Sequence, residues 1–231
     1  MQKKEKIENI QNKRMINYLL YNKYITPKIA EAMEKIEREY FVPNELVSSA
    51  YIDLPLPIGY RQTISAPSII GIMLKELMIK EGMKVLEIGT GSGWQTALLS
   101  FLVGEKGKVY SIEKISQLAK KAEERMQLFR IKNVEIKVGD GTLGLKEKSP
   151  FDRIIVSASA PEIPKPLLEQ LANEGRMLIP IGTGYWQELM LIEKDKNGKI
   201  SIHPILPVMF VPLVGKFAYP EEENEDKYSN I

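Results

Sequence analysis

The sequence predicts an α/β fold, a doubly wound and mostly parallel sheet preceded by a helical lobe. Three observations carry that prediction. The stretch KVLEIGTGSGWQTALLS (84–100) starts as a short apolar strand and passes through Gly89, Gly91 and Gly93. It leaves on a stripe of Trp94, Ala97, Leu98, Phe101 and Leu102. Near-continuous apolar strands belong to sheets covered on both faces, and the i, i+3, i+4 stripe marks a helix packed on such a sheet. A second strand, KVYSIE (108–113), ends in an acid, Glu113, 24 residues after Gly89. Further short strands and amphipathic helices alternate behind it, the pattern of βαβ units.

Composition bounds the rest. A chain of 231 residues can bury one large core and carry an extra lobe, but hardly two full domains. We therefore divide it into a helical lobe (1–60), a cofactor-binding unit (61–215) and an acidic tail (216–231) within one structural domain. A net charge of +2 demands neither nucleic acid nor an anionic membrane. No apolar run reaches membrane-spanning length and MQKKEKIENI lacks a signal-peptide core, so the expected location is cytoplasmic. Zero cysteines exclude disulfides and thiolate zinc sites, and a single histidine excludes most imidazole catalysis. No metal site is expected.

In the lobe, residues 5–21 place Ile7, Ile10, Ile16, Leu19 and Leu20 on one side. Thr26-Pro27 opens a second helix, with Pro in the first helical position. Its face is Ile29, Ala32, Met33, Ile36 and Tyr40. Pro43, Pro55 and Pro57 mark an extended connection to PLPIGYRQTISAPSII. There Ser65-Ala66-Pro67 has the pattern of an N-cap before a helix whose face is Ile69, Ile70, Met73, Leu74 and Leu77. Spacing alone makes Ser65 a cap and cannot make it catalytic.

The glycine loop is more informative. Without β-carbons its backbone can approach a ligand closely, and the helix start behind it presents free N–H groups. This reads as a nucleoside-cofactor loop, with a plain tight turn as the simpler alternative. Glu113 stands where a doubly wound sheet puts a carboxylate to accept both ribose hydroxyls. It would repel a 2′-phosphate, which argues against a phosphorylated dinucleotide.

Residues 116–130 form an amphipathic helix with Leu118, Ala122, Met126 and Phe129 inward, and 133–138 a third strand. Gly139-Asp140-Gly141 at its end fits a turn and a ligand contact equally well. Residues 152–157 give a fourth strand, followed by the loop SASAPEIP. Strands at 175–181 and 188–193 flank Gly182-Thr183-Gly184, a hairpin turn. His203 reads as a surface or packing residue.

Taken in order, PLPIGYRQTISAP, VLEIGTGSGWQTALLS, VYSIE, VGDGTLG, PFDRIIVSASAPEIPKPLLEQL, GRMLIPIG and FVPLVG resemble the protein-L-isoaspartate O-methyltransferase family. The glycine loop alone fits many methyltransferases; QTISAP upstream and FVPLVG near the end are the specific segments. The resemblance implies a Rossmann-like enzyme using S-adenosylmethionine to methylate the free α-carboxylate of L-isoaspartyl residues in damaged proteins and peptides. It places Ser65 beside the transferred methyl and the incoming carboxylate, with Ile64 lining the cofactor pocket. Glu87 and Gly89, Thr90, Gly91 and Gly93 hold the methionine and ribose portions, Glu113 the ribose diol, and Asp140 and Gly141 the adenine. Small residues from Ser157 to Ala160 leave room for a peptide main chain, and Val211, Pro212 and Leu213 border the substrate cleft.

Three departures stand out. Arg61 occupies a position usually held by glycine and either helps hold a substrate carboxylate or faces water. Ser68 replaces a larger His or Tyr. The first helix and the tail PEEENEDKYSNI fall outside the match and are expected to pack on something, another subunit of the same chain being the candidate. Two rival readings remain: a methyltransferase acting on RNA or a small molecule, and a binding module retaining the fold. The first does not explain QTISAP or FVPLVG, and the chain lacks a basic, aromatic-interleaved surface. The second should have lost Ser65 or a cofactor acid.

Overall fold

The computed structural model describes residues 2–220 except 185, with side chains from residue 10 onward; residues 221–231 of the acidic tail, expected as a packing surface, lie outside them. The lobe consists of α1 (Gln2–Tyr21) and α2 (Pro27–Lys35). Thr26 caps α2 as the sequence predicts, its hydroxyl accepting the Ile29 N–H at 3.4 Å, and Pro27 opens the helix. Ile16, Leu19, Ile29, Ala32, Met33 and Ile36 are buried, whereas Ile10 and Tyr40, expected inward, are about half exposed.

The connection that follows is more structured than its prolines suggest. It carries 3₁₀ turns at Arg38–Phe41 and Asn44–Ser49, then an antiparallel hairpin of β1 (Leu56–Gly59) and β2 (Gln62–Ile64). Tyr60 and Arg61 at its tip have φ of 53° and 56°, a left-handed geometry usually signalled by Asn or Gly, which is why sequence pattern missed the turn. Ser65 does not cap α3 (Pro67–Leu77). Ala66 occupies the cap, and Asp53 Oδ1 accepts the Ser68 N–H at 2.8 Å in its place.

Seven strands form the main sheet: β3 (Lys84–Ile88), β4 (Lys108–Glu113), β5 (Val134–Val138), β6 (Phe151–Val156), β7 (Leu171–Thr183), β8 (Trp186–Lys194) and β9 (Ile200–Val208). Their order is β5-β4-β3-β6-β7-β8-β9. The first five run parallel and the last two add antiparallel hairpins. The turn at Gly182 is where the sequence predicts it, with Thr183 opposite Trp186. β9 was not predicted, since Pro204 and Pro207 argue against a strand; an edge position tolerates both.

Alternate residues of the strands feed two cores. Val85, Val109, Ile155 and Leu178 face one side, where α4 (Trp94–Val103) packs together with Leu19, Ile29 and Met33 of the lobe. Leu86, Ile88, Ile154, Val156 and Met177 face the other, near α6 (Lys165–Gln170). The lobe thus shares a core with the sheet, and the Trp94 indole N–H donates to Ile36 O at 2.9 Å across that boundary. Among the described residues no helix is long and apolar enough to cross a membrane.

Candidate active site

β4 and β6 leave β3 on opposite sides, so a crevice opens at the carboxyl ends of these strands, the usual ligand position in an open α/β sheet. The ends are held level: the Gly89 N–H donates to Ile112 O and the Ser157 N–H to Ile88 O, both at 2.8 Å. Gly89, Gly91 and Gly93 have φ of 89°, 53° and 84°, a region where side-chain-bearing residues are strained. Gly93 also lies against α5 (Ser116–Leu128), where a β-carbon would meet that of Ala122 at 3.0 Å. The loop lies bare at the crevice, roofed by Ile58 of β1, whose Cδ1 would stand 3.6 Å from a β-carbon on Gly91.

Glu113 closes the far side of the loop. Its Oε2 accepts the Gly91 N–H at 2.8 Å and its Oε1 the Ile115 N–H at 3.0 Å. A carboxylate has about four acceptor directions, so both oxygens keep capacity for a ligand diol. Glu87 is placed differently. It has no exposed surface and lies beneath the loop, where its carboxyl accepts from Gln95 Nε2 at 2.9 Å, Thr96 Oγ1 at 2.5 Å and Ser111 Oγ at 2.6 Å. Burial pushes it up from 4.5 to about 7; those three bonds pull the other way and the nearby charge of Glu113 adds to the rise. Thr90 is also buried, its hydroxyl paired with Ser111 at 2.6 Å. These two residues shape the loop from below.

Asp140 ends the next strand. Its Oδ1 accepts from the Thr142 N–H at 2.8 Å and the Thr142 hydroxyl at 2.7 Å, and its Oδ2 from the Lys216 N–H at 2.8 Å. Burial alone would raise its pKa, but the bonds from Lys216 and Thr142 and the charge of Lys114 outweigh it and hold the carboxyl below the usual range. Gly141 is buried against Ile88, leaving no space for a β-carbon. Ser157, half-buried, accepts from Gln95 Nε2 at 2.8 Å. Beyond it, Ser159 exchanges main-chain bonds with Val211 O and the Leu213 N–H, which ties the late motif to the loop after β6. Leu213 is buried in the second core, Val211 is half-buried and Pro212 exposed.

Ile64 is buried and Ser65 half-buried beyond the end of β2, while Arg61 sits exposed at the hairpin tip. The Ser65 hydroxyl has no hydrogen-bond partner among the described residues, although its carbonyl accepts from Arg38 at 3.1 Å. Pattern reasoning missed Gln95, Ser111, Thr142 and Arg38. Only Thr142 left a trace, an Asp-x-Thr spacing that favours a local side-chain turn.

Over residues 9–218 the chain matches the family described as protein-L-isoaspartate(D-aspartate) O-methyltransferase, a match that takes in most of the first helix, which was expected to fall outside it. The chain belongs to this family. A relative of that name from Methanothrix thermoacetophila is 45% identical, covering 96% of this chain and 99% of its own. One from Fervidobacterium nodosum is 51% identical over 82% of this chain and 94% of its own. Among solved structures, a protein-L-isoaspartate O-methyltransferase superposes with a TM-score of 0.82 at 29% identity, covering 90% of this chain and 67% of that one. A second, from Plasmodium falciparum in complex with S-adenosyl-L-homocysteine, gives 0.79 at 29% identity over 88% and 98% of the two chains. The two superpositions bear out the fold class predicted from the glycine loop, KVYSIE and the alternating strands and helices behind them.

Proposed function

We propose that this chain transfers a methyl group from S-adenosylmethionine to the free α-carboxylate of L-isoaspartyl residues in damaged proteins and peptides. The ester collapses to a succinimide, and its hydrolysis returns part of the chain to normal aspartate. The observation that carries the site assignment is Ser65: a half-buried hydroxyl, uncommitted among the described residues, on a main chain pinned by Arg38.

The crevice suits an adenosine-bearing donor. A bare glycine loop, an acceptor-rich Glu113 and a ready-formed Asp140–Thr142 turn line its three successive parts. We assign the methionine end to the loop of Gly89, Gly91 and Gly93, the ribose to Glu113, and the adenine to the turn of Asp140 and Gly141. Glu87 and Thr90 support the loop from beneath, and Ile64 packs at the side. Bound there, the donor supplies an electrophilic methyl group.

The protein's own part is orientation. A carboxylate with an ordinary pKa near about 4 is ionised at neutral pH and needs no general base. That agrees with a chain holding no cysteine and one exposed histidine. Joining an anion to a sulfonium cancels charge, so holding the two centres in line at roughly 3 Å in a dry site provides much of the acceleration. Ser65 donates one hydrogen bond to orient the carboxylate. Ser157, Val211 and Pro212 border the path of the peptide, with Leu213 anchoring that border in the core. Arg61, on the exposed hairpin tip, is the nearby cation for an acidic peptide.

Two peptides differing only in isoaspartate or aspartate at one position test the proposal. With labelled S-adenosylmethionine, base-labile methyl ester is expected on the isoaspartyl peptide alone. Ester on neither peptide, with donor binding intact, rejects it.

A further inference from the structure

Arg38 lies in the 3₁₀ turn after α2 and has no exposed surface. Its Nη1 donates to Ala50 O at 2.7 Å and Ile52 O at 3.4 Å. Its Nη2 donates to Leu54 O at 2.9 Å, Ser65 O at 3.1 Å and Ile64 O at 3.4 Å. The guanidinium forms no ion pair among the described residues and sits 5.6 Å from the centre of the Trp94 ring, at the helix start that closes the glycine loop. A fully buried arginine thus spends its Nη donors on main-chain carbonyls of two segments, 50–54 and 64–65, while its buried Nε has no partner among the described residues. Two of those carbonyls belong to Ser65 and the residue before it.

Burial makes this arrangement expensive for stability alone. Desolvation lowers the Arg38 pKa to about 10, with Asp53 opposing the shift, so the group stays cationic at neutral pH without a paired carboxylate. What the planar fork gains is geometry: it fixes several carbonyl directions at once, which a lysine ammonium does not reproduce. Arg153 offers a comparison. It is also buried and also donates to carbonyls, those of Leu77, Asp152, Glu174 and Met78, but it stands near the start of β6, away from the carboxyl-end crevice.

We propose that Arg38 is the positioning residue for Ser65, locking its peptide against Trp94 so that the free hydroxyl points in one direction. This rests on the proposed function, in which Ser65 orients the substrate carboxylate. A misplacement of about 1 Å in a reacting pair can lower the rate by roughly a hundredfold. The lock therefore acts on turnover more than on donor binding.

Arg38→Lys and Arg38→Gln are compared with wild type, each also in a Ser65→Ala background, with Arg153→Lys as a control. Turnover on the isoaspartyl peptide, dissociation constants for S-adenosylhomocysteine and melting temperatures are read for each folded protein. The expected result is a loss of kcat of tenfold or more in Arg38→Lys and Arg38→Gln, with S-adenosylhomocysteine binding within twofold of wild type. In the Ser65→Ala background the same substitutions should change kcat less than twofold, because the residue they act through is gone. Arg153→Lys should lower the melting temperature and leave kcat unchanged. An equal fold-loss in both backgrounds overturns the proposal, as does unchanged kcat in the Arg38 variants or failure of both to fold. Wild-type inactivity on the peptide overturns the functional reading instead, so the two failures are separable.

Discussion

Ser65, half-buried beyond the end of β2, and Glu87, fully buried beneath the glycine loop, answer to different measurements. In the proposed function Ser65 acts through one hydrogen bond to a charged group, an interaction of about 1.5–3 kcal/mol. Ser65→Ala should then lower kcat by roughly ten- to a hundredfold and leave S-adenosylhomocysteine affinity unchanged; calorimetry beside steady-state kinetics checks both halves. Glu87 acts through its buried charge. Its pKa is raised from 4.5 to about 7, chiefly by burial, so the folded state holds its proton more tightly than the unfolded chain does. The native protein is thus free of this penalty below the unfolded value, loses stability as pH rises through that window, and bears the full penalty above about 7. Glu87→Gln keeps the shape and removes the titration. Thermal melts from pH 5 to 8 should show wild type falling progressively below the variant, by an amount on the order of 3 kcal/mol, with the two converging at the acid end. A constant gap would mean Glu87 does not titrate there.

At the scale of elements, the β1–β2 hairpin lies beside the glycine loop and the segment after Leu213 lies against the Asp140–Thr142 turn. The hairpin turns through Tyr60 and Arg61 in left-handed conformations, each of which strains a side-chain-bearing residue by about 1–3 kcal/mol. Arg61→Gly should relieve that strain and raise the melting temperature by a few degrees. If Arg61 also draws an acidic peptide, the same variant should raise KM for that peptide without altering kcat. Across the crevice, the Lys216 N–H bonds Asp140 and the Phe217 N–H bonds the Thr142 hydroxyl at 3.1 Å, strapping the chain's late segment onto the turn assigned to adenine. Asp140→Ala removes both the turn's cap and one strap bond. It should weaken S-adenosylhomocysteine binding by roughly tenfold and increase hydrogen exchange over 215–219, with little change in peptide KM. These elements also show what sequence can reveal. The glycine loop, KVYSIE and the hairpin turn at Gly182 were legible because each combines a period with a breaker. The β1–β2 hairpin was not, since its turn residues carry no φ signal. Nor was the Arg38 fork, because its partners are carbonyls, which leave no mark on side-chain pattern. Ser65 was misread as a cap because Asp53, twelve residues earlier, performs that task through a fold-dependent contact.

For the whole molecule, the question is whether lobe and sheet unfold together. Met15, Ile16 and Leu19 of α1 pack in one cluster with Leu98 of α4 and with Val109 and Leu178 of the sheet, and the Trp94 indole bonds to the end of α2. A lobe that supplies core to the sheet cannot detach without opening apolar surface on both sides. Melting should therefore be a single transition, the same by far-ultraviolet circular dichroism and by the emission of buried Trp94, measured against a Trp186→Phe background because Trp186 is 87% exposed. Leu19→Ala, at a fully buried position, should destabilise by about 2–5 kcal/mol and lower the melting temperature by on the order of 10 °C. Both probes should shift together. If circular dichroism retained a second, unshifted transition, the lobe would be a separate unit. Arg38, which hangs from the lobe, could then no longer hold Ser65 rigidly over a sheet it does not share a core with.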